Sequence, residues 1–365
     1  MCELLTREIT DFDRWGDAFV IPRMDDALSF YDDRWLCAWA QAFLPNQGWS
    51  GPLTAYLVGS GTASLGSIVL ARQTVSRLHV RSLAGYYWPF RTLVVRDDAD
   101  SRKTFATSIA AHFSKCPPAT VLRFGPVSSS DKAFQELLRA LMGTGWVALR
   151  HDDGQTFVLN LPEDASILEK TISHSLLKNA RYCRRRMEKQ LGSLLIERHV
   201  LREGSTEALE VAAAIEAASW VGKKSGDLKF VGVENRMFWT SLASKSGSPF
   251  DIVIWLLHCD NAPIAFSAHI ETRETIYIIA NSYDEQWRSH SPGSVLSLEL
   301  LGDACRRGKK RVDWGQGDSG YKSRWGAAAS ACLFDVMLFR PGIRGHVLCA
   351  LVRRLRPEWR RLDNA

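Results

Sequence analysis

The sequence has no CxxC pair, no His/Cys cluster, and no HExxH, Walker or GxSxG motif, so zinc, P-loop and serine-hydrolase chemistry all lack a signature. No stretch approaches the roughly 18 consecutive apolar residues of a spanning helix. The eight cysteines (Cys2, Cys37, Cys116, Cys183, Cys259, Cys305, Cys332, Cys349) are scattered, which argues against a disulfide framework and a metal site. The start, MCELLTREITDFDRW, has acids where a signal peptide needs bases and an apolar run. These absences predict a soluble protein of a reducing cytoplasm, with no metal.

What is present is ordinary for a globular enzyme: 46% hydrophobic and 24% charged residues over 365 positions. That length exceeds one usual core, so two domains or two similar halves are expected. The net charge of +6 favours an anionic partner without requiring DNA.

In the first half, residues 33–44 and stretches near 101–114 and 131–142 have helical spacing. TAYLVG and ASLGSIVLAR read as a hairpin across Gly-Ser-Gly, and RLHVRSLAGYYWP, TLVVRDD, TVLRFG, WVALR and QTFVLNL as strands. The second half opens with one long helix over 165–191. Its apolar stripe is Ile172, Leu176, Ala180, Cys183, Met187 and Leu191, and Lys178, Arg181, Arg185 and Lys189 form a basic ribbon. A strand SLLIERHV, two helices, a meander (FDIVIWLLHC, PIAFSAHIE, TIYIIANSYD), a helix over 294–307 ended by Gly308, and the strand KRVDWG follow. The order repeats the first half in outline. The expected domains are 1–161, 162–340 and a basic C-terminal tail, 341–365.

Four places have residues suited to chemistry. In WRSHSPGSVLSLELL, Ser291 suits an N-cap, Pro292 the first helical position, and Gly293 and Ser294 a first turn whose amides would meet an anion. The plain alternative is an ordinary helix start. Arg181 and Arg185 could grip phosphates, or merely face solvent. Glu216 and Trp220 are one helical turn apart, at a pocket edge or a core boundary. The loop DWGQGDSGYKSRW, 313–325, offers Asp313 and Asp318 as acceptors, Gln316 beside them, Lys322 as a cation, Tyr321 as a proton donor and Trp325 as a stacking wall.

Taken together, LLKNARYCRRRMEKQLG, EAASW, SYDEQWRSHSPGSVLSLELLGDACRRG and VDWGQGDSGYKSRWG resemble, over about 165–340, the CelD-like acetyltransferase family, which is related to FemAB-type transferases. The resemblance implies two GNAT-like halves in tandem, with α/β (α+β) character and mixed, largely antiparallel sheets flanked by helices. It also implies an acyl-CoA donor, acetyl-CoA in the simplest case, and a saccharide or amine acceptor in polysaccharide or envelope synthesis. Arg288 to Gly293 looks like the GNAT pyrophosphate loop with Ser291 in place of its first glycine, and Tyr283 like the family's strand end. The implied roles are Asp318 and Glu216 as bases and Tyr321 as acid, with the loop closing the acceptor side. The family lysine after Trp220 is Val221 here, so that cation comes from Lys223 or Lys224 or is dispensed with.

Two further readings stay open. One is an aminoacyl-tRNA donor, against which no sustained heptad arm appears. The other is a non-catalytic binding protein. In IRGHVLCALVRRLRPEWRRL an apolar stripe (Ile343, Val347, Leu348, Leu351, Leu355) runs beside five arginines. It either packs back onto the domain or lies on an anionic membrane.

Overall fold

The structure, a computed structural model, describes residues 3–9, 33–44, 48–60, 63–75, 78–85, 93–202, 206–224, 228–244, 250–318 and 320–362. The expected Gly-Ser-Gly turn and the YYWP end of an expected strand reach into 61–62 and 86–89, outside the described residues. The chain divides into two compact units, Met1–Gln155 with Ala331–Ala365, and Thr156–Ser330.

In the first unit, strands β1 (Glu3–Ile9), β2 (Trp49–Ser60), β3 (Ala63–Val75) and β4 (Leu78–Leu83) form an antiparallel meander. The short β5 (Val94–Val95) pairs with β3. β6 (Val121–Ser128) then joins β4 in parallel, through Arg81↔Leu122 and Ser82↔Arg123. Helices α1 (Asp33–Phe43), α2 (Ala99–Lys115) and α3 (Lys132–Gly143) accompany these strands. α3 forms where predicted: Asp131 accepts from the Phe134 amide at 2.9 Å, and Phe134, Leu137 and Leu141 turn inward at helical spacing. They pack with Phe105, Phe113 and Phe124.

The second unit begins within β7 (Val147–Asn160), whose residues from Thr156 onward belong to it. Helices α4 (Ala165–Thr171) and α5 (His174–Gln190) precede β8 (Leu194–Val200). Next come α6 (Glu207–Ala218), α7 (Trp220–Lys223) and α8 (Val233–Ala243), then the meander β9 (Asp251–Cys259), β10 (Ala262–Glu271) and β11 (Thr275–Tyr283). Helix α9 (Pro292–Arg306) returns the chain to β12 (Arg311–Gln316). β12 pairs with β11 in parallel and with the end of β7 antiparallel. α5 lies against α9, and α6 against β10.

The two units therefore share one plan: a four-strand antiparallel meander, a helix, a strand parallel to the last of the four, and a closing antiparallel strand. This is the GNAT arrangement that the sequence led us to expect, present in the second unit and repeated in outline in the first.

The closing strands differ from the expected boundaries. β13 (Ala328–Phe339) pairs with β6 from Leu333 to Phe339, so residues 331 onward return to the first unit, followed by α10 (Ile343–Leu355) and β14 (Arg360–Arg361) on β7. Val158 to Asn160, at the end of the first half of the sequence, pair with β12 in the second unit. The boundary moves because each closing strand follows its pairing partner rather than its sequence neighbours.

The single helix expected over 165–191 is two. It breaks at Ile172 and Ser173, both extended or near it, and the Ser173 amide donates to the Arg324 carbonyl at 2.9 Å instead of continuing the helix. No helix among the described residues is long and apolar enough to cross a membrane.

Candidate functional site

β11 and β12 pair only over Thr275–Tyr277 and Arg311–Asp313. Past these residues the parallel strands part. β11 runs on to Tyr283, and the 3-10 turn Glu285–His290 leads into α9. Asp284 holds that turn by accepting from the Gln286 amide at 3.0 Å.

Ser291 takes the N-cap place of α9 at φ 50°, ψ 48°, in the left-handed region, and its side chain makes no cap bond. This corrects the expected side-chain cap. A capping hydroxyl reaches the N2 or N3 amide from extended backbone, which a left-handed residue does not have. Instead the Ser291 carbonyl accepts from Ser294 and Val295 at 3.0 and 3.3 Å. The first turn is thus tied to the backbone of Ser291, and Pro292 brings no amide that needs a partner. A left-handed position also explains why glycine suits this loop. Ser291→Val should cost about 1–2 kcal/mol, since a β-branched residue resists positive φ, while Ser291→Gly should stay within about 0.5 kcal/mol. Denaturant midpoints of the two variants check this.

Around this turn lies a cavity of about 410 Å³ lined by Trp220, Lys223, Lys224, Tyr283, Glu285 and Arg288. Lys224 Nζ sits 5.4 Å from the centre of the Trp220 ring, and Arg288 meets Glu285 at 3.8 Å. Three cations against one carboxylate leave the pocket positive. A Cβ on Gly293 would stand 3.5 Å from Tyr283, so the helix start adjoins the strand end that lines the cavity. Of the residues chosen from sequence, Trp220, Tyr283 and Arg288 meet here, as do Lys223 and Lys224. Glu285 was missed.

Other choices turn out differently. Arg181 pairs with Glu169, Arg185 is exposed, and neither lines the cavity. Glu216 and Trp220 do not share a helical face, because the helix ends at Ala218 and restarts at Trp220 around Ser219. A Cβ on Gly222 would collide with the Ala217 and Glu216 carbonyls, which fixes this tight corner. Trp220 is left 53% exposed at the cavity, whereas Glu216 is only 2% exposed. Its carboxylate accepts from the Lys229 amide at 3.0 and 3.1 Å, Phe230 at 2.8 Å and Val231 at 3.1 Å. It is a bracket for that segment, not a free base.

The 313–325 loop is held by its own charges. Asp318 accepts from the amides of Gly320 (2.8 Å), Lys322 (2.9 Å) and Ser323 (3.1 Å). Burial pushes its pKa up, but these bonds outweigh it and hold the carboxyl below its usual value. A carboxylate so satisfied is a poor base, which corrects that assignment. Lys322 is buried and donates to the carbonyls of Gly315 (3.1 Å) and Gln316 (2.8 Å). Burial lowers its pKa to about 8, against the opposing pull of Asp313 and Asp318. Asp313, raised by burial, accepts from the Gly315 amide at 2.8 Å. Lys322, Asp313 and Gln316 thus build the loop from within.

Trp325 is no open wall either. It is buried and stacks on Trp314 at 6.4 Å and 15°. Tyr321 stands edge-on to Trp314 at 6.0 Å and is 40% exposed.

Behind Tyr321 runs a polar chain that sequence reasoning missed. Burial raises the tyrosine's pKa, a hydrogen bond with Asn281 opposes this, and the Asp318 charge adds to it. Asn281 is hydrogen-bonded to Ser267, whose Oγ lies 2.6 Å from His269 Nε2. His269 Nδ1 lies 3.7 Å from Glu271. Glu271 in turn meets Arg198 at 2.9 Å, Arg307 at 2.6 Å and Lys309 at 3.9 Å. Burial keeps His269 neutral, its pKa below the ordinary value. Burial opposes ionisation of Glu271 too, yet His269 and Arg307 hold its carboxyl far below the usual range. The available signal was the alternation Ser267, His269, Glu271, three polar residues on one face of an otherwise apolar strand.

In the first unit, the helix after the meander, α2, starts differently. Asp98 caps it through its side chain, accepting from the Ser101 amide at 2.8 Å. A carboxylate fills the place where an anion would sit at α9.

Residues 174–323 match the family described as acetyltransferase (GNAT) domain. Such a domain is a transferase domain and typically binds acyl-CoA. Among solved structures the chain is similar to FemX (13% identity, TM-score 0.59, 95% of this chain and 99% of that one). It is also similar to a conserved protein of unknown function from Bacteroides thetaiotaomicron (12%, 0.54, 93% and 100%). A third likeness is to the C-terminal domain of a protein described as a lysylphosphatidylglycerol synthetase from Agrobacterium fabrum (11%, 0.51, 94% and 95%). At these identities the likeness is one of fold. No curated protein matches the chain.

Proposed function

We propose that the protein is a CelD-like acyltransferase that moves an acyl group, with acetyl as the simplest case, from acyl-CoA to an amine or hydroxyl of an envelope or exported polysaccharide precursor in the cytoplasm. The observation that carries this is the positive cavity at the start of α9, beside the parting of β11 from β12.

Lys223, Lys224 and Arg288 would take the diphosphate, with the Gly293 and Ser294 turn and the positive end of α9 behind it. Trp220 offers a ring for the adenine, and Tyr283 a wall between the two. The backbone of β11 beyond Tyr277, freed from β12, would receive the acyl arm and polarise its carbonyl. In the transfer, the acceptor gives up a proton as it attacks the thioester carbon, the C–S bond breaks, and the leaving thiolate takes a proton. Tyr321 is the residue for that last proton, held in place by Asn281 and Ser267. With Asp318 and Glu216 both engaged, the acceptor's proton is assigned to no side chain. Val221 does not empty the site of positive charge, because Lys223 and Lys224 line it.

The test is binding. Acetyl-CoA should raise the Tm of the full chain, by mass action on the folded state. Changing Lys223, Lys224 and Arg288 together to alanine should weaken acetyl-CoA binding by about 100-fold, since hydrogen bonds to charged groups contribute about 1.5–3 kcal/mol when buried and less at a partly open site. Stabilisation by tRNA and by no CoA ester would overturn the reading in favour of an aminoacyl donor. No shift with either would leave a binding module.

A further inference from the structure

Helix α10 has one face against the first unit and one facing away from it. Gly345 and Cys349 are buried, and Leu348 and Val352 pack with Val80, Val121, Leu149 and Phe339. A Cβ on Gly345 would collide with the Arg340 carbonyl, so helix and preceding strand are locked at close approach. On the other face, Ile343, Val347, Leu351 and Leu355 follow at four-residue spacing and are 84%, 60%, 47% and 67% exposed. Of the stripe read from sequence, Leu348 alone packs back onto the domain, and the other four side chains stay exposed.

Charge surrounds the stripe. Between positions 340 and 361 lie seven exposed arginines (Arg340, Arg344, Arg353, Arg354, Arg356, Arg360, Arg361) and one acid, Glu358, which pairs with Arg356 at 3.7 Å. At 100° per residue, Arg344 and Arg354 project from the apolar face itself. Long arginine stems can lie along an apolar boundary while their heads reach phosphate.

We propose that this face docks on an anionic lipid surface, with the four apolar side chains in the headgroup boundary and the arginines on lipid phosphates. Charge selects this occupant. A second copy of the chain would set seven arginines against seven, and an RNA would meet the arginines but leave the apolar stripe in water. The inference is independent of the acyl-transfer reading and survives its failure.

Sedimentation of the full chain with vesicles tests it. The protein should bind vesicles of mixed phosphatidylglycerol and phosphatidylcholine but not pure phosphatidylcholine, and binding should fall as salt rises. Val347→Asp with Leu351→Asp should cut the partition at least tenfold while acetyl-CoA binding and secondary structure stay as they were. The milder Val347→Ser with Leu351→Ser should leave Tm within about 2 °C, as surface changes do. Equal binding to both vesicle types, or full binding by the aspartate variant, overturns the proposal. So does a Tm loss of several degrees in the serine variant, which would mean that the chain covers its own stripe. A dimer that the aspartate variant abolishes, or binding to RNA in preference to vesicles, overturns it as well.

Discussion

Replacing Glu271 by alanine is expected to lower stability by about 3–5 kcal/mol, the usual cost of removing one partner from a buried ionic cluster. The carboxylate holds Arg198 of β8, Arg307 at the end of α9 and Lys309 beyond it, at 2.9, 2.6 and 3.9 Å. Without it, three cations face one another in a partly dry space, and His269 Nδ1 loses the anion beside it. The denaturant midpoint should fall, with Glu271→Gln between wild type and alanine because it keeps the volume and two hydrogen-bonding atoms.

The same cluster sets an acid limit. Glu271 has a folded pKa far below its unfolded one, so its contribution is present above the ordinary glutamate range and is lost as pH falls through the folded value. His269 is also depressed. Its contribution is complete above about 6.5 and declines below that as the unfolded chain takes up the proton first. Stability should therefore begin to fall just below neutrality, and His269→Gln should flatten that first part of the curve. A curve level down to about pH 5 would contradict this.

Glu216→Ala should be comparably severe, about 3–5 kcal/mol, because it strips partners from three backbone amides in a buried place. Phe230, whose amide it holds, stacks on Trp239 at 5.5 Å, so the loss spreads into α8. Ser219, which donates to the Glu216 carbonyl at 2.6 Å, carries the corner that presents Trp220 and the two lysines. Acyl-CoA affinity should fall with stability. Glu216→Gln separates a bracket from a base. A bracket loses stability, keeping one acceptor oxygen of two, with turnover per folded molecule largely retained. A base would lose turnover by about 100-fold or more at nearly unchanged stability.

The sequence announced the second unit's frame well, for physical reasons. The meander shows as three apolar runs separated by turn residues, and α9 is punctuated by Pro292 and Gly308 at its ends. Binary pattern and breakers report such things directly. Side-chain employment is different. Asp318, Glu216 and Lys322 look like chemistry in the sequence because they are charged residues in motifs, yet each gives its hydrogen bonds to backbone groups. A one-dimensional pattern does not tell a carboxylate that meets a ligand from one that meets backbone amides. The polar chain from Ser267 to Glu271 was hidden for the opposite reason, inside a run that reads as plain strand.

The exchange of closing strands has a consequence for how the chain comes into being. The second unit is a continuous span, Thr156–Ser330, whereas the first needs Ala331–Ala365 to complete its sheet. A ribosome moving along the chain toward its C-terminal end therefore finishes the part it began later first. The meander made at the outset, together with Phe105, Phe113 and Phe124, must wait for Val336 and Leu338 to arrive more than 200 residues afterwards. An unclosed edge on β6 for that interval is a place where a chaperone, or a neighbouring nascent chain, would find purchase.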